Sequence, residues 1–485
     1  KMKKAQRLIT FLLATLILVS CGGKTADTET TGSTSVTESG SDSAEPEYTY
    51  EKYDLGGREF NILSSTYPYY FYETIDLENM TGETIDDEVY RRNRKVEDMF
   101  NMKLNVKEVV GKESSELVMT CVQAGEDVYD VATIPFDTSS AQILSQNCLL
   151  NLKDIADFQF DEAWWNNQLN DRLVIGSEKK LTAVFSDISL ANFEGSYVTF
   201  INSGIVEDLG LEIPYDVVRD GKWTLDKMAE YMKAGANLNG DSSFRYSSDG
   251  NAVYGLTATL SFDQAVIAGS MDLFTVEEDG SVNIAANSDK FVSNVLKLSD
   301  IVATPGEMLY YNKSAEDNYE KVFRDERALL MVGELKAASM MRASDFDYGL
   351  LPIPKFDESQ SDYRTVVGYG FLFCIPIVCD TPNESAAVID AMTYYTYKDV
   401  MPLFYNERIS QKALRDDDSI EMLALINKTR CLDIGRLYGW SNMLYQVMEN
   451  ATKNQKKTVA SDLASKLDQI EASIEKTVDA INSAQ

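Results

Sequence analysis

The chain has 485 residues, of which 44% are hydrophobic and 25% charged, a composition typical of a folded globular protein. Its formal net charge of −32 argues against nucleic acid or an anionic membrane surface as a partner, because their phosphates would be repelled. Histidine is absent, which excludes Ser-His-Asp and Cys-His catalysis and removes the commonest transition-metal ligand. Carboxylate chemistry and calcium sites remain open, but we expect no catalytic residue, metal site or cofactor.

The first 20 residues have the pattern of a signal peptide. A basic start precedes an apolar run from Leu8 to Val19, which is too short to span a bilayer as a helix. The run ends in "LVSCGG", and the small residue before Cys21 resembles the lipobox of bacterial lipoproteins, which are cut before the cysteine and carry diacylglycerol on its sulfur. A plain secretory signal with an incidental cysteine is the alternative. We expect a lipid anchor at Cys21, as the only attachment to the cell membrane, on its extracytoplasmic face.

Residues 21–50 form the expected tether. The stretch is rich in Ser, Thr, Gly and acids and nearly free of aliphatic side chains, so it cannot bury enough apolar surface to fold. As a flexible coil it would reach roughly 30 Å from the membrane.

From residue 53 onward, predicted strands and helices alternate. "REFNILSS" predicts a strand, "TIDDEVYRRNRKVEDMF" an amphipathic helix, and "MKLNVKEVV" a second strand. A helix around "SSELVMTCVQAG", a strand in "YDVATIPF" and a helix in "SSAQILSQNCLLNL" follow. Strands that alternate with helices indicate βαβ units and a mostly parallel sheet.

An aromatic stretch, "SSTYPYYFYE", directly follows the first predicted strand. It shows no clean alternation and therefore predicts a loop rather than a strand. A loop at the carboxyl end of a parallel strand lies where ligand sites form in such sheets. We expect one or two of its rings to face a ligand, in the first place those of Tyr67 and Tyr70, and the others to pack on the protein.

Four later passages resemble family 1 extracellular solute-binding proteins, the receptors of carbohydrate-type ABC importers. They are "DVATIPFDTSSAQILSQNCLLNL", "YVTFINSGIVEDLGLEIPYDVVRDGKWTLDKMAEYMK", "VFRDERALLMVGELKAAS" with "FDYGLLPIPK", and "VVGYGFLFCIPIVCDTPNESAAVIDAMTYYT". Their order and spacing carry the resemblance, since each motif alone is weak. The chain departs from the family pattern at Cys148, at Ser203, where lysine is common, and at Glu326, where glycine is usual.

The resemblance implies an α/β, two-lobe, periplasmic-binding-protein-like fold with a ligand cleft between lobes joined by hinge segments. We expect lobe 1 to comprise residues 51–190 and 372–400, and lobe 2 residues 191–371 and 401–485. Crossings are expected near 190–197 and 366–371, with a further exchange near 400–410. The tail from 444 to 484 shows helical periodicity and is expected to pack on lobe 2 as a helix.

The resemblance also implies a sugar site, in which aromatic rings cover the apolar faces of pyranoses and charged groups bind their hydroxyls. Trp440 is the residue that we expect to stack most directly, because small and polar neighbours suggest a loop at the cleft edge. The full set of expected ligand contacts is Tyr67, Tyr70, Phe136, Asp137, Thr138, Trp165, Asn192, Phe193, Glu194, Glu334, Tyr369, Tyr438 and Trp440.

Five cysteines remain beyond Cys21, an odd number with apolar neighbours, so we expect buried free thiols. A bridge between Cys374 and Cys379 would require a turn at Pro376 and is left open.

The expected function is capture of a carbohydrate, in particular an oligosaccharide, by a monomer that delivers it to ABC-transporter permease subunits. A binding protein for a peptide, polyamine or polyol is the main alternative. A glycosidase would need two carboxylates at a defined separation, and no motif in the sequence places such a pair.

Overall fold

The computed structural model describes residues 48–50, 52–68, 70, 74–310, 318–341, 346–410 and 417–483. The expected signal peptide, Cys21 and nearly all of the expected tether therefore lie outside the described residues.

The strands within this range are short and are spread over the whole chain. They are β1 (Glu59–Thr66), β2 (Lys103–Val110), β3 (Val131–Pro135), β4 (Val184–Phe185), β5 (Tyr197–Asn202), β6 (Tyr254–Ala258), β7 (Thr275–Val276), β8 (Val282–Asn283), β9 (Met308–Tyr310), β10 (Ala328–Glu334), β11 (Tyr348–Leu351), β12 (Thr365–Val366), β13 (Phe371–Cys374) and β14 (Arg430–Cys431).

Helices fill most of the intervals between the strands. They are α1 (Thr84–Phe100), α2 (Glu113–Ala124), α3 (Ala141–Leu144), α4 (Asn167–Asn170), α5 (Ala191–Glu194), α6 (Ser203–Asp208), α7 (Tyr215–Arg219), α8 (Leu225–Gly235), α9 (Phe262–Ser270), α10 (Asp289–Ile301), α11 (Tyr319–Arg324), α12 (Ala337–Met340), α13 (Pro382–Tyr395), α14 (Met401–Ser410), α15 (Asp417–Lys428), α16 (Ile434–Tyr438), α17 (Ser441–Thr452), α18 (Val459–Ala464) and α19 (Leu467–Ser483). Short 3₁₀ turns cover Thr138–Ser140, Leu152–Asp154 and Asp171–Leu173, and a π turn covers Thr396–Val400.

Two five-stranded sheets organise the molecule. The first has the order β2-β1-β3-β13-β4, with β1 parallel to β2 and β3, and with β13 antiparallel to both of its neighbours. The second has the order β11-β5-β10-β6-β9 and pairs β10 parallel to β6 but antiparallel to β5. All five residues of β3 are buried, as expected for a strand covered on both faces.

Two crossing segments join the sheets. The chain leaves the first sheet after β4 and enters the second at β5, and it returns through residues 367–370 into β13. These two crossing segments lie side by side, as shown by the hydrogen bond of 2.9 Å that the Gly368 amide donates to the Gly195 carbonyl. A Cβ added to Gly195 would lie only 2.1 Å from the Tyr369 carbonyl oxygen, so this close approach requires glycine.

Side chains bury three apolar clusters. The first surrounds β1, β3 and β13 and includes Phe60, Ile134 and Leu372. The second packs α8, α9, α10 and the C-terminal helices against the second sheet. The third contains Val89 of α1 together with Phe404 of α14 and residues of the second sheet, so it draws on both halves of the molecule.

The predicted order of strands and helices between residues 58 and 136 agrees with the structure to within two residues at each end. Two predicted helices are wrong in extent. The one expected over 139–152 ends at Leu144, and Leu149 instead pairs with Pro376 as an isolated antiparallel bridge. The C-terminal tail is broken at 453–458 and 465–466 into α17, α18 and α19, although Leu463, Ile470 and Ile474 do pack in the second cluster.

The five cysteines in the described residues are free thiols, as expected, and the possible bridge between Cys374 and Cys379 is not formed. Burial alone raises the pKa of the Cys374 thiol, and desolvation is also the first cause of the raised pKa of Cys379. No helix within the described ranges has both the length and the apolarity needed to cross a membrane.

Candidate ligand cleft at the crossing segments

Five of the expected contact residues meet where strands of the two sheets end, namely Tyr67, Tyr70, Asp137, Glu334 and Tyr369. Tyr67 follows β1, and Asp137 comes two residues after β3, both at carboxyl ends of the first sheet. Glu334 is the last residue of β10 in the second sheet, and Tyr369 lies on the returning crossing segment. Carboxyl ends of neighbouring strands converge at one edge, which explains why residues so far apart in sequence come together.

An aromatic cluster forms the centre of this region. The rings of Tyr70 and Tyr369 are stacked, with centroids 4.4 Å apart and planes inclined by 12°. Tyr67 meets Tyr369 edge-on at 5.2 Å, and Phe371 meets Tyr369 edge-on at 5.3 Å. Both geometries are favourable for aromatic pairs, so the cluster presents a defined apolar surface rather than a loose loop.

Charged groups border the cluster on the side of the second sheet. The Tyr70 hydroxyl donates to Glu334 Oε2 over 3.2 Å, and Lys336 Nζ lies 2.7 Å from the same oxygen. The Lys336 ammonium also lies 4.4 Å from the centroid of the Tyr70 ring, within cation–π range. Side chains from both halves of the molecule therefore share one hydrogen-bonded group.

Asp137 borders the cluster on the side of the first sheet. Its Oδ1 accepts the Ser139 amide over 2.8 Å and thereby caps the turn that begins at Thr138. Its Oδ2 accepts the Tyr67 hydroxyl over 3.3 Å. Burial, followed by the Asp137 charge, raises the pKa of Tyr67 to about 12.

Beneath Glu334 lies a buried layer of ionisable groups. Desolvation is the first cause that raises the pKa of Tyr197 and of Tyr319, and the charge of Glu334 adds to both shifts. The Tyr319 hydroxyl donates to Glu320 Oε1 over 2.9 Å, and burial raises the pKa of that carboxyl. Arg436 of α16 interacts electrostatically with Tyr197 and Glu334, and its Nε is buried without a hydrogen-bond partner among the described residues.

The structure corrects the expectation for Trp440. Its ring is fully buried, packs 5.7 Å from Phe274 and stacks on Tyr438 at 4.9 Å, and its indole nitrogen donates to Thr477 Oγ1. Tyr438 is half-buried and borders a cavity of about 30 Å³ that also contacts Leu144, too small to hold a sugar ring. These two aromatics pack on each other rather than offering free faces.

Three other expected contacts are also core residues. Phe136 is fully buried and meets Phe185 edge-on at 5.1 Å. Trp165 is buried, and its indole nitrogen donates to Asp390 Oδ1 over 2.7 Å. Phe193 is fully buried against Phe404. The expectation that these rings contact a ligand is wrong, because each ring is enclosed by protein.

Asn192 is a structural clamp rather than a ligand contact. Its Nδ2 donates to the carbonyls of Ser186 and Phe371, over 2.7 and 2.9 Å, and its Oδ1 accepts the Phe371 amide. All of these partners are backbone groups at the crossings. Glu194 is fully buried next to this clamp, and its carbonyl accepts the Lys336 amide, while Thr138 is exposed beside Asp137. Their roles as ligand contacts stay predictions.

Several residues of the cluster were missed by the sequence reasoning. Lys336 could have been found, since it lies two residues beyond Glu334 at the same strand end. Tyr197 and Phe371 lie at the ends of the two expected crossings but were not named as contacts. Tyr319 and Arg436 carried no such local signal, because neither follows a predicted strand. No group of three His, Cys, Asp or Glu side chains in the described part of the chain is arranged to hold a metal ion.

No protein-family model matches the sequence, and no curated protein matches it either. Solved structures do match. An ABC substrate-binding protein from Listeria monocytogenes, in complex with cycloalternan, is 14% identical and covers 86% of this chain and 99% of its own, with a TM-score of 0.56.

Two further matches are comparable. The cyclic alpha-maltosyl-1,6-maltose binding protein from Arthrobacter globiformis is 12% identical, with 88% and 99% of the two chains covered and a TM-score of 0.55. UgpB from Mycobacterium tuberculosis, in complex with glycerophosphocholine, is 14% identical, with 81% and 96% covered and a TM-score of 0.51. The chain therefore has the two-lobe α/β fold of such proteins, and the predicted fold class is confirmed.

Proposed function

We propose that this chain is the solute-binding component of an ABC importer and that it captures a carbohydrate, in particular an oligosaccharide, for delivery to the permease subunits. The observation that carries this proposal is the cluster at the crossing segments, in which stacked tyrosines lie beside Glu334, Lys336 and Asp137. Flat aromatic faces suit the apolar faces of pyranose rings, and charged groups form strong hydrogen bonds with sugar hydroxyls.

The matched structures support the proposal without fixing the cargo. Two of them bind cyclic oligosaccharides according to their descriptions, and the third binds glycerophosphocholine. A glycerophosphodiester is thus the specific alternative to a carbohydrate as the transported ligand. The tyrosine-rich surface favours a ligand with pyranose rings, because its aromatic rings match their apolar faces and the flanking carboxylates of Glu334 and Asp137 accept hydrogen bonds from hydroxyls.

We infer that the cargo leaves unchanged. A glycosidase of the common type needs one carboxyl group to protonate the leaving oxygen and a second to act as nucleophile or base. In this cluster Glu334 is ion-paired with Lys336, and Asp137 is held by the Ser139 amide and the Tyr67 hydroxyl. These arrangements suit fixed hydrogen-bond acceptors.

The proposed location is the extracytoplasmic face of the cell membrane, where a monomer is anchored by lipid at Cys21 and held by the tether of residues 21–50. The motif around Cys21 and the composition of the tether support this part of the proposal.

The experiment is a thermal-shift screen followed by calorimetry. Linear and cyclic oligosaccharides, glycerophosphodiesters, peptides and polyamines are compared, and an oligosaccharide is expected to raise the melting temperature. Tyr369→Ala should weaken its binding about fivefold or more, since ring stacking contributes on the order of 1 kcal/mol. Tyr397→Ala, which removes a ring that is 47% exposed, is the matched control.

Chromatography of the recovered sugar should show no product, and X-ray scattering should show a smaller radius of gyration with sugar, as expected for hinge closure. A response confined to peptides or glycerophosphodiesters would replace the carbohydrate by that class. Hydrolysed product from highly purified protein would favour an enzyme.

A further inference from the structure

The ring of Tyr70 is held as a bound ligand would be held. Three independent contacts define its position: the stacking on Tyr369 at 4.4 Å, the Lys336 ammonium 4.4 Å from the ring centroid, and the hydroxyl bond to Glu334 Oε2. Tyr70 belongs to the loop that follows β1 in the first sheet, whereas Glu334 ends β10 in the second. The contact therefore reaches across the cleft between the two sheets.

We propose that Tyr369, Glu334 and Lys336 form a subsite for one ring of the ligand, and that the Tyr70 side chain fills this subsite while the protein is empty. A ligand ring must displace Tyr70 to enter. The identity of that ring as a pyranose rests on the proposed carbohydrate function, but the existence of the subsite does not.

A phenol side chain and a pyranose ring can make similar contacts with a binding site. Each has an apolar face that can lie on an aromatic ring, here Tyr369, and a hydroxyl that can donate to a carboxylate, here Glu334. A pyranose carries additional hydroxyls, which can accept from the Lys336 ammonium, whereas the single Tyr70 hydroxyl already donates to Glu334. A sugar ring can therefore satisfy more of the subsite than Tyr70 does.

Displacement leaves no buried charge unpaired. Glu334 Oε2 keeps its ion pair with Lys336, at 2.7 Å, when the Tyr70 hydroxyl leaves. The Lys336 backbone is fixed independently, because its amide donates to the Glu194 carbonyl over 3.0 Å. The subsite can thus persist without its internal occupant, which is the condition for exchange with a ligand.

This arrangement predicts competition. Because Tyr70 is covalently tethered beside the subsite, the affinity measured for a ligand is reduced by the fraction of molecules in which Tyr70 is bound. Removing the Tyr70 ring should therefore tighten binding of the cognate sugar by roughly tenfold, the size expected for one stacked and hydrogen-bonded ring. A residue that only stacks on the ligand would show the opposite sign.

The first experiment needs no knowledge of the cargo. Tyr70→Ala should open a cavity that fits p-cresol, the free equivalent of the lost side chain, just as engineered cavities in other proteins bind small aromatics. Calorimetry should detect p-cresol binding to Tyr70→Ala, and not to the unmodified protein, to Tyr397→Ala or to the double variant Tyr70→Ala/Tyr369→Ala. A folded Tyr70→Ala that fails to bind p-cresol, or an unmodified protein that binds it equally well, would overturn the proposal.

The second experiment uses Tyr70→Phe, which keeps the ring and loses only the bond to Glu334, and which serves if Tyr70→Ala does not fold. With a sugar found in the screen, Tyr70→Phe should bind more tightly than the unmodified protein, and weaker binding would contradict displacement. If no sugar binds while p-cresol still fills Tyr70→Ala, the carbohydrate function fails and the subsite stands. If sugars bind but p-cresol does not, the subsite fails and the function stands.

Discussion

Trp440 lies flat against Tyr438, with ring centroids 4.9 Å apart and planes inclined by 20°. The pair connects α16 to the start of α17, and the full burial of Trp440 makes it part of the core beneath the second sheet. Its position predicts a role in stability and none in binding.

Trp440→Ala should lower the free energy of unfolding of the ligand-free protein by roughly 3–5 kcal/mol, because it empties a closed site in the core. Urea denaturation measures the change. Tyr397→Ala, on the surface, should change it by no more than about 0.5 kcal/mol. If Trp440→Ala left the free energy of unfolding unchanged but lowered the affinity for ligand, Trp440 would be a ligand contact and not a core residue.

Asp263 of α9 gives the fold a dependence on pH. Its side chain is 2% exposed, and desolvation raises its pKa to about 6, against the lowering effects of Lys453, the Gln264 amide and the Thr452 hydroxyl. The folded state therefore keeps the proton to a higher pH than the unfolded chain does. The contribution of Asp263 to stability is therefore largest below about pH 4, and it falls by at most about 3 kcal/mol as the pH rises through about 6.

Asp263→Asn should remove this pH-dependent contribution to the free energy of unfolding. The difference in unfolding free energy between the variant and the unmodified protein, followed from pH 4 to pH 7, should grow in favour of the variant. Val110→Ala, at an exposed position and without loss of an ionisable group, is the control and should give a flat difference. A flat difference for Asp263→Asn as well would show that burial does not perturb this carboxyl.

Glu326 occupies a conformation that favours glycine, with φ of 56°. This is the position at which the chain departs from the glycine of the family that it resembles. Glu326→Gly should raise the unfolding free energy by about 1 kcal/mol through relief of the left-handed backbone. The same change at Glu230, an exposed position in the middle of α8, should lower it by a similar amount. Equal signs at the two positions would contradict the assignment.

Cys21→Ala should release the protein from the membrane fraction of the cells that produce it, since the thiol is the proposed site of lipid attachment. Fractionation followed by immunoblotting measures the distribution, and labelling with a fatty-acid analogue should be lost at the same time. Cys121→Ala, which alters a half-buried thiol within the folded part, is the matched control. Retention of Cys21→Ala on the membrane would exclude this anchor.

The periodicity of the sequence and the order of its motifs were sufficient to predict the strand ends that carry most residues of the candidate site. The alternation of strands and helices placed Tyr67, Asp137 and Glu334 at strand ends, and the structure brings all three to the aromatic cluster. This succeeded because the edge at which parallel strands end is a property of the topology and needs no knowledge of packing.

The exposure of single aromatics could not be predicted in the same way. Gly439 and Ser441 suggested a loop around Trp440, but Gly439, at φ of 79°, only turns the chain between two helices. The burial of the ring depends on Phe274 and Thr477, which are distant in sequence. Likewise Trp165 is fixed by Asp390, more than 200 residues away. Local composition carries no information about such partners.

Strand β13 lies between β3 and β4 in the first sheet, although it is the last of that sheet to be synthesised. β4 ends at residue 185 and β13 begins at residue 371, so 185 residues lie between them. At roughly 5–20 residues per second, the ribosome needs about 10–40 s to make that interval. Throughout this time the first sheet lacks an interior strand, so we expect residues 59–185 not to form their native sheet. A chain truncated at residue 360 should accordingly be cut throughout 59–185 by a protease that spares the full-length protein.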